Sequence, residues 1–243
     1  MNDINTIVIN LVTFATAVGT LLTVREMNKQ RKASYRPELI LESVVFSGYN
    51  NHNSSCFQDN IECNFPVNWV KEIIPHESNP IEKEKILPNW FYISLLNIGL
   101  GAAREISGFW SFPIIEIVKE INQLAEKELF IFKKEVLSLT TGHNIMWGTD
   151  KKINFDYVLP VATQKESVGV RIPITYMTLV SAFIYSSVLK KGSLPKIAPL
   201  EFFVEYFDIG GVKYKTKINI FFELEACSQS FFTACLQPKK IVL

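Results

Sequence analysis

Between Asp3 and Arg25 the chain carries no charged residue for 21 positions, INTIVINLVTFATAVGTLLTV. As a helix that run rises about 31 Å, close to the roughly 30 Å hydrocarbon core of a bilayer. Arg25, Lys29, Arg31, Lys32 and Arg36 follow it, whereas no Lys or Arg precedes it. Positive flanks stay on the cytoplasmic side, so the expectation is a single membrane span with its N-terminus outside and residues 37–243 in the cytoplasm. There the four Cys, at 56, 63, 227 and 235, are reduced thiols. Ala15-Thr16-Ala17 has the form of a signal-peptide cleavage site, but a signal peptide leads with basic residues and here Asn2 and Asp3 lead. A buried helix of a soluble protein is the remaining alternative, because the run is not densely apolar.

The polar residues of the run are segregated. Thr6, Asn10, Thr13, Ala17, Thr20 and Val24 recur with spacing 4-3-4-3-4 and share one helical face, opposite Ile7, Leu11, Phe14, Val18, Leu21 and Leu22. Small and hydroxylated side chains on one face suit helix–helix contact in lipid, so Thr6, Asn10, Thr13, Ala17 and Thr20 are the expected interface of a homo-oligomer. Around a symmetry axis the same stripe would line a narrow wet pore. Against both stands the tolerance of any span for Ser and Thr, whose hydroxyls bond back to the helix carbonyls.

Beyond Arg36 the composition changes. The whole chain is 48% hydrophobic with 18 Phe, 8 Tyr and 4 Trp, which supports a packed core and excludes general disorder. The net charge of +1 argues against holding nucleic acid by bulk charge. Strands are expected over 38–46, on both sides of the turn 97–103, near 153–160 and 167–173, and in a hairpin of 200–207 with 212–224 around Asp208-Ile209-Gly210-Gly211. A long irregular excursion fills 47–88. Apolar spacing predicts a helix over 114–134, and 175–189 reads as a second helix, with the uncharged stretch 172–189 also open to reading as a second span. The expected fold class is therefore mainly β with inserted helices: a transmembrane helix and basic neck over 1–36, then one domain over 37–243.

Known chemistries find little purchase. Asn97-Ile98-Gly99-Leu100-Gly101 resembles a dinucleotide loop only in its first glycines; strand follows where a helix belongs, so it reads as a tight turn. His52, His76 and His143 are dispersed, no zinc pattern is visible, and no catalytic residue, metal ligand or cofactor is expected. Lys213, Lys215 and Lys217 alternate along one strand and share a face, with Tyr206 and Tyr214 near in sequence. They read either as a site for an anionic regulator, a nucleotide or short oligonucleotide, or as a solvated face that lysines guard against edge pairing.

The entry Tyr35-Arg36-Pro37-Glu38-Leu39, the turn Asn97-x-Gly99-x-Gly101-x-Ala103 and the closing Tyr206-Phe207-Asp208-Ile209-Gly210-Gly211 resemble those of uncharacterised bacterial membrane-anchored proteins with an immunoglobulin-like β-sandwich. That architecture is similar to membrane effectors of antiphage systems, including the channel-like subunit of the Hailong system. The resemblance implies an inner-membrane protein with a cytosolic immunoglobulin-like β-sandwich, and a non-enzymatic abortive-infection effector whose N-terminal helices form a pore controlled by a ligand or an operon-encoded partner. A membrane-anchored module that recruits a cytosolic partner without conducting ions is the alternative. No functional residue carries over, because the matching positions are turns.

Overall fold

Strict alternation in LEFFVEYF and KYKTKINI, joined by an Asp-Ile-Gly-Gly turn, builds the hairpin around which the larger sheet grows. The computed structural model of the protein describes residues 2–49, 68–71, 90–140, 142–163, 167–192, 195–228 and 231–241; in its first helix the described side chains are 11–30. In chain order the elements are α1 (Asn2–Ser34), β1 (Leu39–Leu41), β2 (Val44–Tyr49), β3 (Asn68–Val70), β4 (Tyr92–Asn97), β5 (Ala103–Ser111), α2 (Ile114–Ala125), β6 (Phe130–Lys133), β7 (Val136–Leu139), β8 (Asn144–Met146), α3 (Trp147–Asp150), β9 (Lys152–Val158), β10 (Val168–Arg171), α4 (Ile174–Lys191), β11 (Leu200–Phe207), β12 (Lys213–Cys227) and β13 (Phe231–Ile241). The protein is mainly β, with a curled sheet and a few helices.

Seven strands form one sheet in the order β3-β2-β13-β12-β11-β5-β9; β1-β4-β10 form a second and β6-β7-β8 a third. Each of these strand pairs is antiparallel. A parallel bridge from Asn97 to Pro160 ties the end of β4 to the chain leaving β9, so the small sheet is linked to one edge of the large one. Leu39, Ile93, Leu95 and Val170 of the small sheet share one core with Phe46, Ile106, Trp110, Phe202 and Val204 of the large sheet. Trp110 on β5 donates its indole N–H to the Arg171 carbonyl on β10 at 3.1 Å, which satisfies the one polar atom of a buried ring.

Several expectations are corrected. The strand expected over 38–46 is two strands, because the chain changes sheets at Glu42-Ser43: β1 pairs with β4 and β2 with β13. The helix expected over 114–134 stops at Ala125, where Glu126 takes a left-handed φ of 56°. Asn122 then draws the chain back. Its carboxamide oxygen accepts the N–H groups of Leu129 and Phe130 and its nitrogen donates to the Phe130 carbonyl, so Leu129 and Phe132 reach the apolar cluster from β6 and its approach rather than from the helix. β13 is a central strand that the sequence reading missed. Its Pro238 lies past Leu236, the last residue paired with β2, where only one side of the strand is occupied.

The uncharged stretch 172–189 is a core helix and not a second span. From Thr175 to Ile184 every α4 side chain is buried, and Trp69 on β3 donates to Ser181 Oγ at 3.0 Å. Burial all round explains why the helix shows apolar character without a stripe. Asp150, at the end of α3, places its carboxylate at the α4 N-terminus, accepts the Thr175 N–H at 3.3 Å and pairs with Arg171. Most of the excursion at 47–88 lies outside the described residues, as do His52, His76, Cys56 and Cys63.

Among the described residues no helix is long and apolar enough to cross a membrane. The described side chains of α1 include Arg25, Glu26 and Lys29 and take in only part of the uncharged run, which begins at Ile4. All of those side chains are exposed, so α1 runs away from the domain instead of packing on it.

Candidate functional site

The three short motifs, far apart in sequence, meet at one place: the segment 35–38, where α1 joins the domain. Pro37 ends the helix because the residue before proline disfavours the helical region. The extended chain that follows lies on the turn 97–101. Asn97, fully buried, spends its whole hydrogen-bonding capacity there. Its Oδ1 accepts from Glu38 N at 2.9 Å and Gly99 N at 3.1 Å, and its Nδ2 donates to the carbonyls of Gly101 at 2.7 Å and Val158 at 3.1 Å. The Ile98 N–H adds a bond to the Glu38 carbonyl at 2.9 Å.

The glycines of the turn are demanded by contact. A Cβ on Gly99 would stand 2.2 Å from the Arg36 carbonyl oxygen, and one on Gly101 would stand 1.8 Å from that of Tyr35. Only a residue without a side chain lets the two backbones approach this closely.

The hairpin holds the same segment from another direction. The Tyr206 hydroxyl donates to the Pro37 carbonyl at 3.4 Å, and the Arg36 guanidinium lies 4.9 Å from the centre of the Tyr214 ring. Tyr206 and Tyr214 stack at 5.5 Å. Asp208 fixes the turn beneath them, accepting from Val212 N at 2.8 Å and the Tyr214 hydroxyl at 3.2 Å. Partial burial, with the Asp208 carboxylate beside it, raises the Tyr214 phenol above its ordinary value. Glu38 pairs with Lys240 of β13 at 2.7 Å, and the hydrogen bond and charge of that lysine lower its carboxyl below the usual range. The arrangement is a set of hydrogen bonds, close backbone contacts and ring contacts around residues 35–38. It can fix the direction in which α1 leaves and pass a displacement of the hairpin to the helix.

The residues singled out for function are placed as follows. Lys213, Lys215 and Lys217 do share the outer face of β12, but each meets a carboxylate of β11. Lys213 and Lys215 both pair with Glu205 at 2.6 Å, and Lys217 pairs with Glu201 at 2.6 Å. Both lysines hold the Glu205 carboxyl below its ordinary value through their hydrogen bonds. Three cations against two anions leave the face nearly neutral. Tyr206 and Tyr214 cannot stack a base beside these lysines, because strand alternation puts them on the opposite face, inside the junction. Phe203 and Phe109 take that position instead, stacked at 4.9 Å, with Lys217 5.2 Å from the Phe203 centre. Counting outward from a turn at 208–211 would pair Glu205 with Tyr214; the connection is one residue longer, 208–212, which pairs Glu205 with Lys215, so the neutralisation was not readable from the turn residues alone.

On α1, Thr13, Ala17 and Thr20 are exposed; Thr6 and Asn10 belong to the helix, but their side chains lie outside the described residues. Thr16, Thr20 and Thr23 donate to the carbonyls of Val12, Thr16 and Gly19 at 2.8–2.9 Å. His143 lies just before β8, away from the junction. Cys227 and Cys235 are half-buried free thiols pushed up by burial, which makes them poor nucleophiles. Among the described residues no group of His, Cys, Asp or Glu is arranged to hold a metal.

Compared with known proteins, the chain matches no family model, no curated protein and no solved structure.

Proposed function

We propose that the protein is a non-enzymatic membrane effector: α1 inserts in the bacterial inner membrane, copies associate through the face of Thr6, Asn10, Thr13, Ala17 and Thr20, and the cytoplasmic domain sets the arrangement of these helices. The observation that carries this reading is the junction, where Asn97, Gly99, Gly101, Tyr206 and Tyr214 grip residues 35–38 below a helix whose described side chains are all exposed. A mere tether needs no such grip, since a flexible linker anchors a domain equally well. The β1-β4-β10 sheet and the seven-stranded sheet, joined at the Asn97–Pro160 bridge and sharing one apolar core, are in keeping with the immunoglobulin-like sandwich that the resemblance implies, with α4 as an added core element. The resemblance to antiphage effectors is the reason to read the output as an ion-conducting pore under the control of an anionic ligand or a partner protein encoded nearby.

The test is ion flux and subunit number for the full chain in liposomes. Leu at Asn10, Thr13 and Thr20 is expected to alter assembly or abolish conductance, and Leu at Ile7 and Val18 to leave both unchanged. Equal behaviour of the two faces rejects the stripe as a functional surface.

A second reading, an anchored interaction module without a pore, draws on the threonines. Thr16, Thr20 and Thr23 satisfy their hydroxyls within their own helix, so they need neither a neighbouring helix nor water. Absence of flux from an assembled, inserted protein selects this reading.

A further inference from the structure

The seven-stranded sheet ends in a strand with one neighbour. β9 pairs with β5, and among the described residues no strand pairs along its other side. At seven residues it is the longest such edge; the other strands with a single neighbour, β1, β3, β6, β8 and β10, have three or four. One contact fixes the hydrogen-bonding direction along it. The Trp110 N–H donates to the Lys151 carbonyl at 2.8 Å, so alternation turns the backbone of Ile153 and Phe155 toward β5 and that of Lys152, Asn154 and Asp156 outward. The side chains of these last three residues are exposed.

We propose that β9 is a homodimer edge: two copies pair antiparallel about a two-fold axis at Asn154, which sets Lys152 of each copy opposite Asp156 of the other. A row of unpaired N–H and C=O groups is a template for another strand, and proteins commonly blunt it with charge. The charges here do not blunt it, because they are opposite in sign and placed symmetrically about Asn154, so that Lys152-Ile153-Asn154-Phe155-Asp156 is its own complement. Among the described residues neither Lys152 nor Asp156 meets an opposite charge, whereas Lys213, Lys215 and Lys217 on β12 all do. An axis at Lys152 or at Asp156 would set like charges together, so charge selects Asn154 among the outward-facing positions.

At that register the outward groups of residues 152, 154 and 156 meet their counterparts in about six backbone hydrogen bonds, and Ile153 of each copy lies opposite Phe155 of the other on the inner face. The bonds join backbones, so the pairing makes no demand on the Asn154 side chain. The axis stands normal to the sheet, and Tyr206 and Tyr214 hold residues 36–37 on its inner face, so both copies of α1 start from the same side of the joined sheets. The pairing is therefore compatible with both helices entering one membrane, but it does not rest on that reading.

The full chain, with its native Cys replaced by Ser, carries Asn154→Cys or, as the control, Ser107→Cys, which is exposed on β5 directly beside it. It is treated with a mild oxidant in detergent solution. Across the axis the Cα atoms at 154 stand about 5.5 Å apart, within the disulfide range of about 4.4–6.8 Å, whereas those at 107 stand about 14 Å apart. The expected result is a covalent dimer at 154 and none at 107. Adding Lys152→Glu to Asn154→Cys should slow dimer formation about fivefold or more, and adding Asp156→Lys as well should restore it. No dimer at 154, equal dimer at 154 and 107, indifference to Lys152→Glu or failure of the double charge reversal to restore the rate each overturns the proposal. Hydrogen exchange reads the same edge without a cross-link: the amides of Asn154 and Asp156 should exchange slowly in the parent and several-fold faster in Lys152→Glu, with Ile153 and Phe155 unchanged. Fast exchange at 154 and 156 in the parent overturns the pairing, and slow exchange in both proteins overturns it in favour of a covering segment of the same chain. Neither measurement reads ion flux, so the outcome is separate from that of the pore.

Discussion

Replacing Asn97 by Ala removes the four hydrogen bonds through which one side chain joins residue 38, the turn at 99–101 and the end of β9. The side chain is fully buried, and water has no ready access to the groups left behind. A typical intramolecular hydrogen bond contributes about 0.5–1.5 kcal/mol net, so the four together amount to roughly 2–6 kcal/mol. That is a large part of the roughly 5–15 kcal/mol by which folded domains are stable. For a chain of this size each kcal/mol shifts the midpoint by about 2–4 °C, so the expected loss is on the order of 10 °C. Thermal unfolding of the purified full chain, followed by near-ultraviolet circular dichroism, measures it. Asn154→Ala, on the exposed face of β9, serves as the control and should stay within about 0.5 kcal/mol of the parent. Limited proteolysis provides the local readout, since the Asn97 variant should be cut faster within residues 35–38. A shift below about 2 °C together with unchanged cleavage would refute the assignment of Asn97 as the centre of the junction.

Two further outcomes follow from charges in the structure. Glu205→Gln removes the carboxylate that engages Lys213 and Lys215 and should leave the unfolding midpoint unchanged, because all three side chains are substantially exposed; it should also tighten binding of a fluorescent oligonucleotide at low salt, and unchanged affinity across a salt series returns the lysines to a solvated face. Glu38 has a carboxyl held low by Lys240, so its contribution to holding residues 35–38 is present above the ordinary value of 4.5 and declines as pH falls from there through the lowered folded value. Cleavage at the junction by an acid-active protease should rise across that interval, and Lys240→Met should flatten the dependence; identical profiles for parent and variant would remove the ion pair from the account.

Local patterns were enough for much of the architecture. The hairpin at 200–224, the strands flanking 97–103 and the apolar helix at 174–191 were readable because alternation, turn glycines and uncharged runs act over a few residues. The long N-terminal helix was readable for the same reason. What covers α1 was not, because residues 4–24 have the same composition in lipid, against copies of themselves or against a partner. Tertiary structure decided the rest. Only packing could make residues 172–189 a core helix instead of a span, since both environments are apolar. Asn122 ended α2 early by capturing Leu129 and Phe130, a contact the helical period of 114–134 could not disclose. The change of sheet at Glu42-Ser43 and the central place of β13 depend on pairing with residues up to about 200 positions away. The junction is the clearest case. Its motifs read separately as a helix stop, a tight turn and a hairpin turn, and each of those readings holds. Asn97 becomes their common centre only because the fold brings the backbone of residue 38 within 2.9 Å of its side chain, a proximity set by the whole antiparallel framework and not by any single stretch of sequence.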